Sequence, residues 1–98
     1  MKKGKKYQMG NKITEYLEEN YPHDIDRILL ADGFEGAFLG VVEVFGSVPR
    51  ACYDYEKCQE ILVSRDSMSW EEALEYLEFN VIQAYVGAYT PAFIIKRA

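Results

Sequence analysis

Between Ala37 and Phe45 the chain reads Ala-Phe-Leu-Gly-Val-Val-Glu-Val-Phe, with Glu43 as its only charge. β-Branched and aromatic residues dominate the run, which predicts a strand. Side chains alternate across a strand, so Phe38, Val42 and Val44 share one face and Leu39, Val41 and Phe45 the other. An antiparallel sheet with one wet face alternates apolar and polar residues. This strand is apolar on both sides, so both faces of its sheet need cover. Helices of the same chain supply it in one reading. In the other, a homodimer covers the second face, with Leu39, Val41 and Phe45 as the interface.

The elements around this strand follow from local signals. Asn11 can cap a helix over 11–20, with Ile13, Tyr16 and Leu17 on one face, and Pro22 stops it. Residues 25–31 read as a first strand, closed by the turn dipeptide Asp32-Gly33. Gly46-Ser47 marks a second turn, and a third strand runs from Val48 to Tyr53, with Pro49 holding it to an edge or starting it late. A helix is expected from Asp54 to Arg65, with Cys58, Ile61 and Leu62 on one face. The next carries the strongest local signal in the chain. Ser69 and Glu72 form a capping box, with Met68 and Ala73 as a possible staple. Its apolar stripe runs through Trp70, Ala73, Leu74, Leu77, Val81 and Ala84 to a stop at Gly87. Thr90-Pro91 leads into a short last strand, Ala92 to Ile95. The expectation is an α+β domain: a small, mostly antiparallel sheet of three to four strands with three helices, in the order α-β-β-β-α-α-β.

With 98 residues and 49% hydrophobic content, this is one domain with a core of its own. Residues 1–10 form a flexible basic tail, and 11–98 the α+β domain. No apolar run approaches the ~20 residues of a membrane span, and no apolar segment follows the basic start as in a secretory signal. A cytoplasmic location, without membrane or nucleic-acid partners, is expected. Charge is unevenly placed. Lys2, Lys3, Lys5 and Lys6 crowd the start, and Lys96 and Arg97 the end. Between residues 7 and 95 only five basic residues stand against all 16 acidic ones. Such a body repels phosphate backbones and attracts basic protein surfaces.

Catalytic motifs are missing from the sequence. Cys52 and Cys58 lack zinc-site spacing and read as buried thiols; His23 is the only histidine. Asp24, Asp26, Asp32 and Glu35 flank the expected first strand, whose length keeps its two ends ~25 Å apart, so no metal and no cofactor is expected. Arg27, Arg50, Lys57 and Arg65 would have to converge for an anionic ligand to bind. Two groups stand out as contact residues. Tyr53 and Tyr55 flank Asp54, which is itself placed to cap a helix. Glu71, Glu75 and Glu78 line one face of the last long helix, away from its apolar stripe.

The runs Gly33–Phe38, Tyr53–Cys58, Met68–Gly87 and Thr90–Ile94 resemble a family of small uncharacterised proteins of tailed bacteriophages and prophages. The likeness covers roughly residues 25–95. It implies a viral accessory protein acting in the cytoplasm of a bacterial host. Joined to the acidic body, it gives the functional expectation: a non-enzymatic protein that binds, modulates or inhibits a host protein with a basic surface, as an anti-defence factor would. The alternative is a nucleotide or small-molecule sponge formed at an oligomer interface.

Overall fold

The computed structural model describes residues 8–82 and 86–96. The order is α-β-β-α-α-β: α1 (Gln8–Asn20), β1 (Phe38–Val42), β2 (Arg50–Asp54), α2 (Tyr55–Asp66), α3 (Trp70–Leu77) and β3 (Ala92–Ile94). A 3₁₀ turn over Glu35–Ala37 leads into β1, and a π-helical turn over Glu78–Ile82 continues α3. The three strands form one mixed sheet in the order β1-β2-β3, with β1 antiparallel and β3 parallel to β2. The protein is therefore an α+β domain of three helices and a three-strand sheet. No described helix is long and apolar enough to cross a membrane.

Helix α1 begins at Gln8, so Asn11 lies inside it rather than capping it. Of the expected basic tail, residues 1–7 lie outside the described residues. Ile13 and Leu17 are buried, and Tyr16 sets its ring 6.4 Å from Phe38. Proline at 22 disfavours helical backbone in the residue before it, and the helix ends at Asn20.

The expected first strand over 25–31 does not form. Three backbone bonds fold residues 21–28 into consecutive turns: Asp24 to Tyr21, then Arg27 and Ile28 to Asp24. Beyond them the backbone is met singly. Leu29 N–H donates to the Tyr89 carbonyl, and Ala31 N–H to the Tyr53 hydroxyl at 2.9 Å. Ile28 is buried, and Ile25, Leu30 and Ala31 pack on the core from this irregular path. Burial without a ladder explains why the composition imitates a strand.

Strand β1 stops at Val42, and β2 starts at Arg50, one residue after Pro49. Phe38 pairs with Tyr53 but Gly40 with Cys52, so Leu39 is an extra residue in a bulge. Gly40 accommodates it with φ +144°, a conformation that side chains resist. The extra residue shifts the alternation of β1. Phe38 and Val41 now share a face, because their partners Tyr53 and Ala51 do.

That face carries the core. Ala51 and Tyr53 belong to one buried cluster with Ile13 and Leu17 of α1, Cys58 and Leu62 of α2, and Ala73 and Leu77 of α3. Tyr53 is the centre of an aromatic row, 5.6 Å from the Phe38 ring and 5.8 Å from Phe93. Cys52, between Ala51 and Tyr53, is buried but stands outside that cluster.

Both helix caps read from the sequence are present. Asp54 Oδ1 accepts from Lys57 N–H at 3.1 Å, and Asp54 Oδ2 holds Lys96 at 2.9 Å, tying the chain after β3 to the start of α2. At α3, Glu72 N–H donates to Ser69 Oγ while Ser69 N–H donates to Glu72 Oε1. Ser67 closes α2 in left-handed backbone, its N–H reaching the Leu62 carbonyl. The long stripe expected over 69–87 is narrower than its spacing suggested. Ala73 and Leu77 are buried and Val81 packs on the core, but Trp70 and Leu74 remain exposed. Ala84 lies outside the described residues.

Candidate functional site

The end of α3 presents a shallow, open groove of about 430 Å³, lined by Met68, Glu72, Glu75, Tyr76, Phe79 and Asn80. Its construction begins at the capping box. With Ser69 fixing the first turn, Glu72, Glu75, Tyr76 and Phe79 fall at i, i+3, i+4 and i+7 along one side of the helix. Ala73 and Leu77 take the core side. The helix then loosens into the π turn at Glu78, where the widened backbone leaves Phe79 70% exposed.

The junction is held from α2. The Tyr55 hydroxyl donates to Glu78 Oε2 at 2.8 Å. Burial, and then this carboxylate, push the Tyr55 phenol up to about 12. The bond locks Glu78 away from the groove and leaves Glu75 and Glu72 as its carboxylates. Glu72 is partly engaged by the cap; Glu75 is exposed. Two aromatic rings beside two carboxylates suit a lysine or arginine side chain, which gains from both ring face and charge.

The structure separates the residues that the sequence grouped. Tyr53 is buried, with its hydroxyl accepting from Ala31 N–H; burial raises it to about 12. Tyr55 is buried against Glu78. Neither tyrosine is a surface contact, which corrects the reading of Tyr53 and Tyr55 as partner-binding residues. Strand alternation turns Tyr53 inward. Tyr55 opens the helix that Asp54 caps, so it too faces the core. Of the three glutamates, Glu71 is exposed but does not line the groove, Glu78 is half-buried under Tyr55, and Glu75 alone lines it. Tyr76 and Phe79 were not singled out in the sequence. The signal was present: two aromatics three apart, both off the stripe defined by Ala73 and Leu77.

Leu39, Val41 and Phe45 do not share a face either. Val41 packs on the core, whereas Leu39 is 54% and Phe45 106% exposed, the latter at the tip of the β1–β2 hairpin. The bulge is the reason.

Arg27, Arg50, Lys57 and Arg65 do not converge. Lys57 pairs with Glu60 in the first turn of α2. Arg65, two turns away, donates to the Gly33 carbonyl and to Asp66, with Phe34 beneath it. Arg27 is engaged by Tyr89, and Arg50 begins β2. Both cysteines are free and buried. Burial pushes Cys58 up to about 12 and raises Cys52 as well. Among the described residues no group of three His, Cys, Asp or Glu is placed to share a metal ion. The Asp24 carboxylate instead accepts from the Tyr89 hydroxyl. Comparison with protein families, with curated proteins and with solved structures returned no match.

Proposed function

We propose that the protein acts by binding rather than by catalysis, and that its partner is a host protein with a basic surface. One observation carries the reading: the groove on α3 sets Tyr76 and Phe79 beside Glu72 and Glu75 on an acidic body. A lysine or arginine entering it meets ring faces and carboxylates together, each cation–π contact being worth ~0.5–2 kcal/mol. The surrounding negative field speeds encounter with a basic partner and discourages nucleic acid. The likeness to small phage and prophage proteins supports a bacterial cytoplasmic partner and an anti-defence or modulating role. The sponge reading is the weaker of the two, since the basic residues an anion needs are spread over separate elements.

The test is comparative. A lysine- and arginine-rich peptide is titrated into the wild type and into Glu75→Lys and Phe79→Ala, followed by calorimetry. Both side chains are exposed, so neither change disturbs the core. Binding should weaken at least tenfold in each variant and fall with added salt. Equal affinity for all three proteins would remove the groove as the binding site. Wild type and variants then serve as paired baits in bacterial lysate, where the relevant partner is one that the wild type holds and Glu75→Lys loses.

A further inference from the structure

Basic residues stop at Arg65 and do not return until Lys96. The stretch between them holds Asp66, Glu71, Glu72, Glu75 and Glu78, and no Lys, Arg or His. Asp66 is paired with Arg65, and Glu78 with the Tyr55 hydroxyl. Glu72 gives one oxygen to the Ser69 N–H. Glu75, exposed in the groove, has no cation on its own helix, and Arg65 is already engaged by Asp66 and the Gly33 carbonyl. The opposite surplus stands at the start of the chain. Lys2, Lys3, Lys5 and Lys6 precede α1, which has no acidic residue in its first turn. Cations at a helix N-terminus meet the positive end of its dipole. The first carboxylate along α1 is Glu15, ~10 Å beyond Gln8.

We propose that the lysine-rich segment before α1 docks in the groove on α3 of the same chain and competes there with the basic partner. The proposal rests on the groove reading above and adds its regulation. The chemistry is the same for both occupants: an ammonium group beside Glu75 and Glu72, with its apolar stem along Tyr76 or Phe79. The segment is long enough. Ile13 of α1 and Leu77 of α3 belong to one buried cluster, and Tyr76 of the groove is the neighbour of Leu77. Lys2 stands six residues before Gln8, ~20 Å of extended chain, in a molecule whose shortest dimension is 26 Å.

The tether is what makes this regulation. A ligand on the same chain is present at an effective concentration on the order of millimolar, whatever the protein concentration. Each lysine contact is weak and screened by salt. The segment therefore shields Tyr76 and Phe79, otherwise 40% and 70% exposed, and yields to a partner that brings several cations at once. A protein with one stray basic group does not displace it, so the segment also raises the selectivity of the groove.

Zero-length cross-linking of the full chain tests the docking. A carbodiimide joins a lysine amine to a glutamate carboxylate as an amide and takes up the water as its urea, so only groups in contact are linked. The expected product is a monomer of 11.3 kDa in which Lys2, Lys3, Lys5 or Lys6 is joined to Glu72 or Glu75. Glu75→Lys and high salt should both suppress it. A chain with no link from these lysines to Glu72 or Glu75, or with such links only between two chains, overturns the proposal. Calorimetry then reads the competition. The protein carrying Lys2→Gln, Lys3→Gln, Lys5→Gln and Lys6→Gln together should bind the lysine- and arginine-rich peptide about threefold more tightly than the wild type, or better, with the gain lost at high salt. Equal affinity overturns the competition. A peptide that binds neither protein overturns the groove as a partner site and the competition with it, and the cross-link alone then decides the docking.

Discussion

Strand β2 has two sides with opposite fates. Ala51 and Tyr53 face three helices and are sealed in the core. Arg50, Cys52 and Asp54 point the other way and stand outside that cluster: Arg50 is half-buried, Cys52 is buried, and Asp54 is buried where it caps α2 and holds Lys96. The strand next to it is apolar throughout, so composition does not distinguish the sides. What separates them is where the helices go, and that is decided by one bulge and two caps. Leu39 re-phases β1 so that Phe38 and Val41 both turn toward the helices. The caps at Asp54 and Ser69 fix where α2 and α3 start, and so which of their residues meet Tyr53.

The largest contrast between the sides is in stability. Leu62 is fully buried among the helices, and Leu62→Ala should cost 2–5 kcal/mol by removing packing and leaving a cavity. Leu39→Ala, at the exposed bulge, should fall within about ±0.5 kcal/mol. Chemical denaturation of the two variants makes the comparison. Equal losses would mean that Leu39 is packed after all.

Alkali should act on the covered side. Tyr53, Tyr55 and Cys58 are each raised to about 12 by burial, from ordinary values near 10 for the phenols and 9 for the thiol. The folded state thus holds protons that the unfolded chain releases, and stability is complete below pH 9. It should fall as pH rises from 9 through 12, because there the unfolded state binds fewer protons. Urea midpoints at pH 8 and pH 10.5 report the loss. Tyr53→Phe should flatten the slope, while itself costing ~1–3 kcal/mol for the Ala31 N–H left without a partner.

The caps were legible in the sequence because each is local: Ser69 needs only Glu72, and Asp54 only the backbone of Lys57. Helix α2 followed almost to the residue, and α3 starts where Ser69 places it, but it gives way at Glu78 to a π turn instead of running on toward Gly87. Three things were not legible, for different reasons. Residues 25–31 bury apolar side chains from a turn-rich path, and burial alone does not require a ladder. The bulge at Leu39 is one extra residue whose effect appears only in pairing with β2. The parallel placement of β3 depends on how α2 and α3 cross the sheet. The same bulge split Leu39 from Val41, and the same strand end turned Tyr53 and Tyr55 inward. Of the expected contact residues in the groove only Glu75 survives, because its exposure follows from the α3 period itself.

The capping box gives the next test in size. Ser69→Ala removes the acceptor for Glu72 N–H and frees the Glu72 side chain, at ~1 kcal/mol. For a domain of this size that is a fall of ~4–8 °C in Tm. It should also weaken peptide binding, since the same turn places Glu72 and Glu75. An unchanged Tm would mean that α3 is held by Ala73 and Leu77 alone.

The smallest expected effect separates the two sides most directly. Cys52 and Cys58 are close in sequence, and a disulfide between them would need both sulfurs on one side of β2. Cys58 instead belongs to the helix-side cluster, while Cys52, paired with Gly40 and Ala92, is buried on the opposite face of the sheet. Both are free thiols. Reductant should therefore leave Tm unchanged, and mild oxidant should form no bridge within one chain. A disulfide closing even a short loop contributes a few kcal/mol, so its loss on reduction would lower Tm by several degrees. Such a drop would place the Cys52 sulfur beside Cys58 on the helix side of β2, against the register that turns it away from Ala51 and Tyr53.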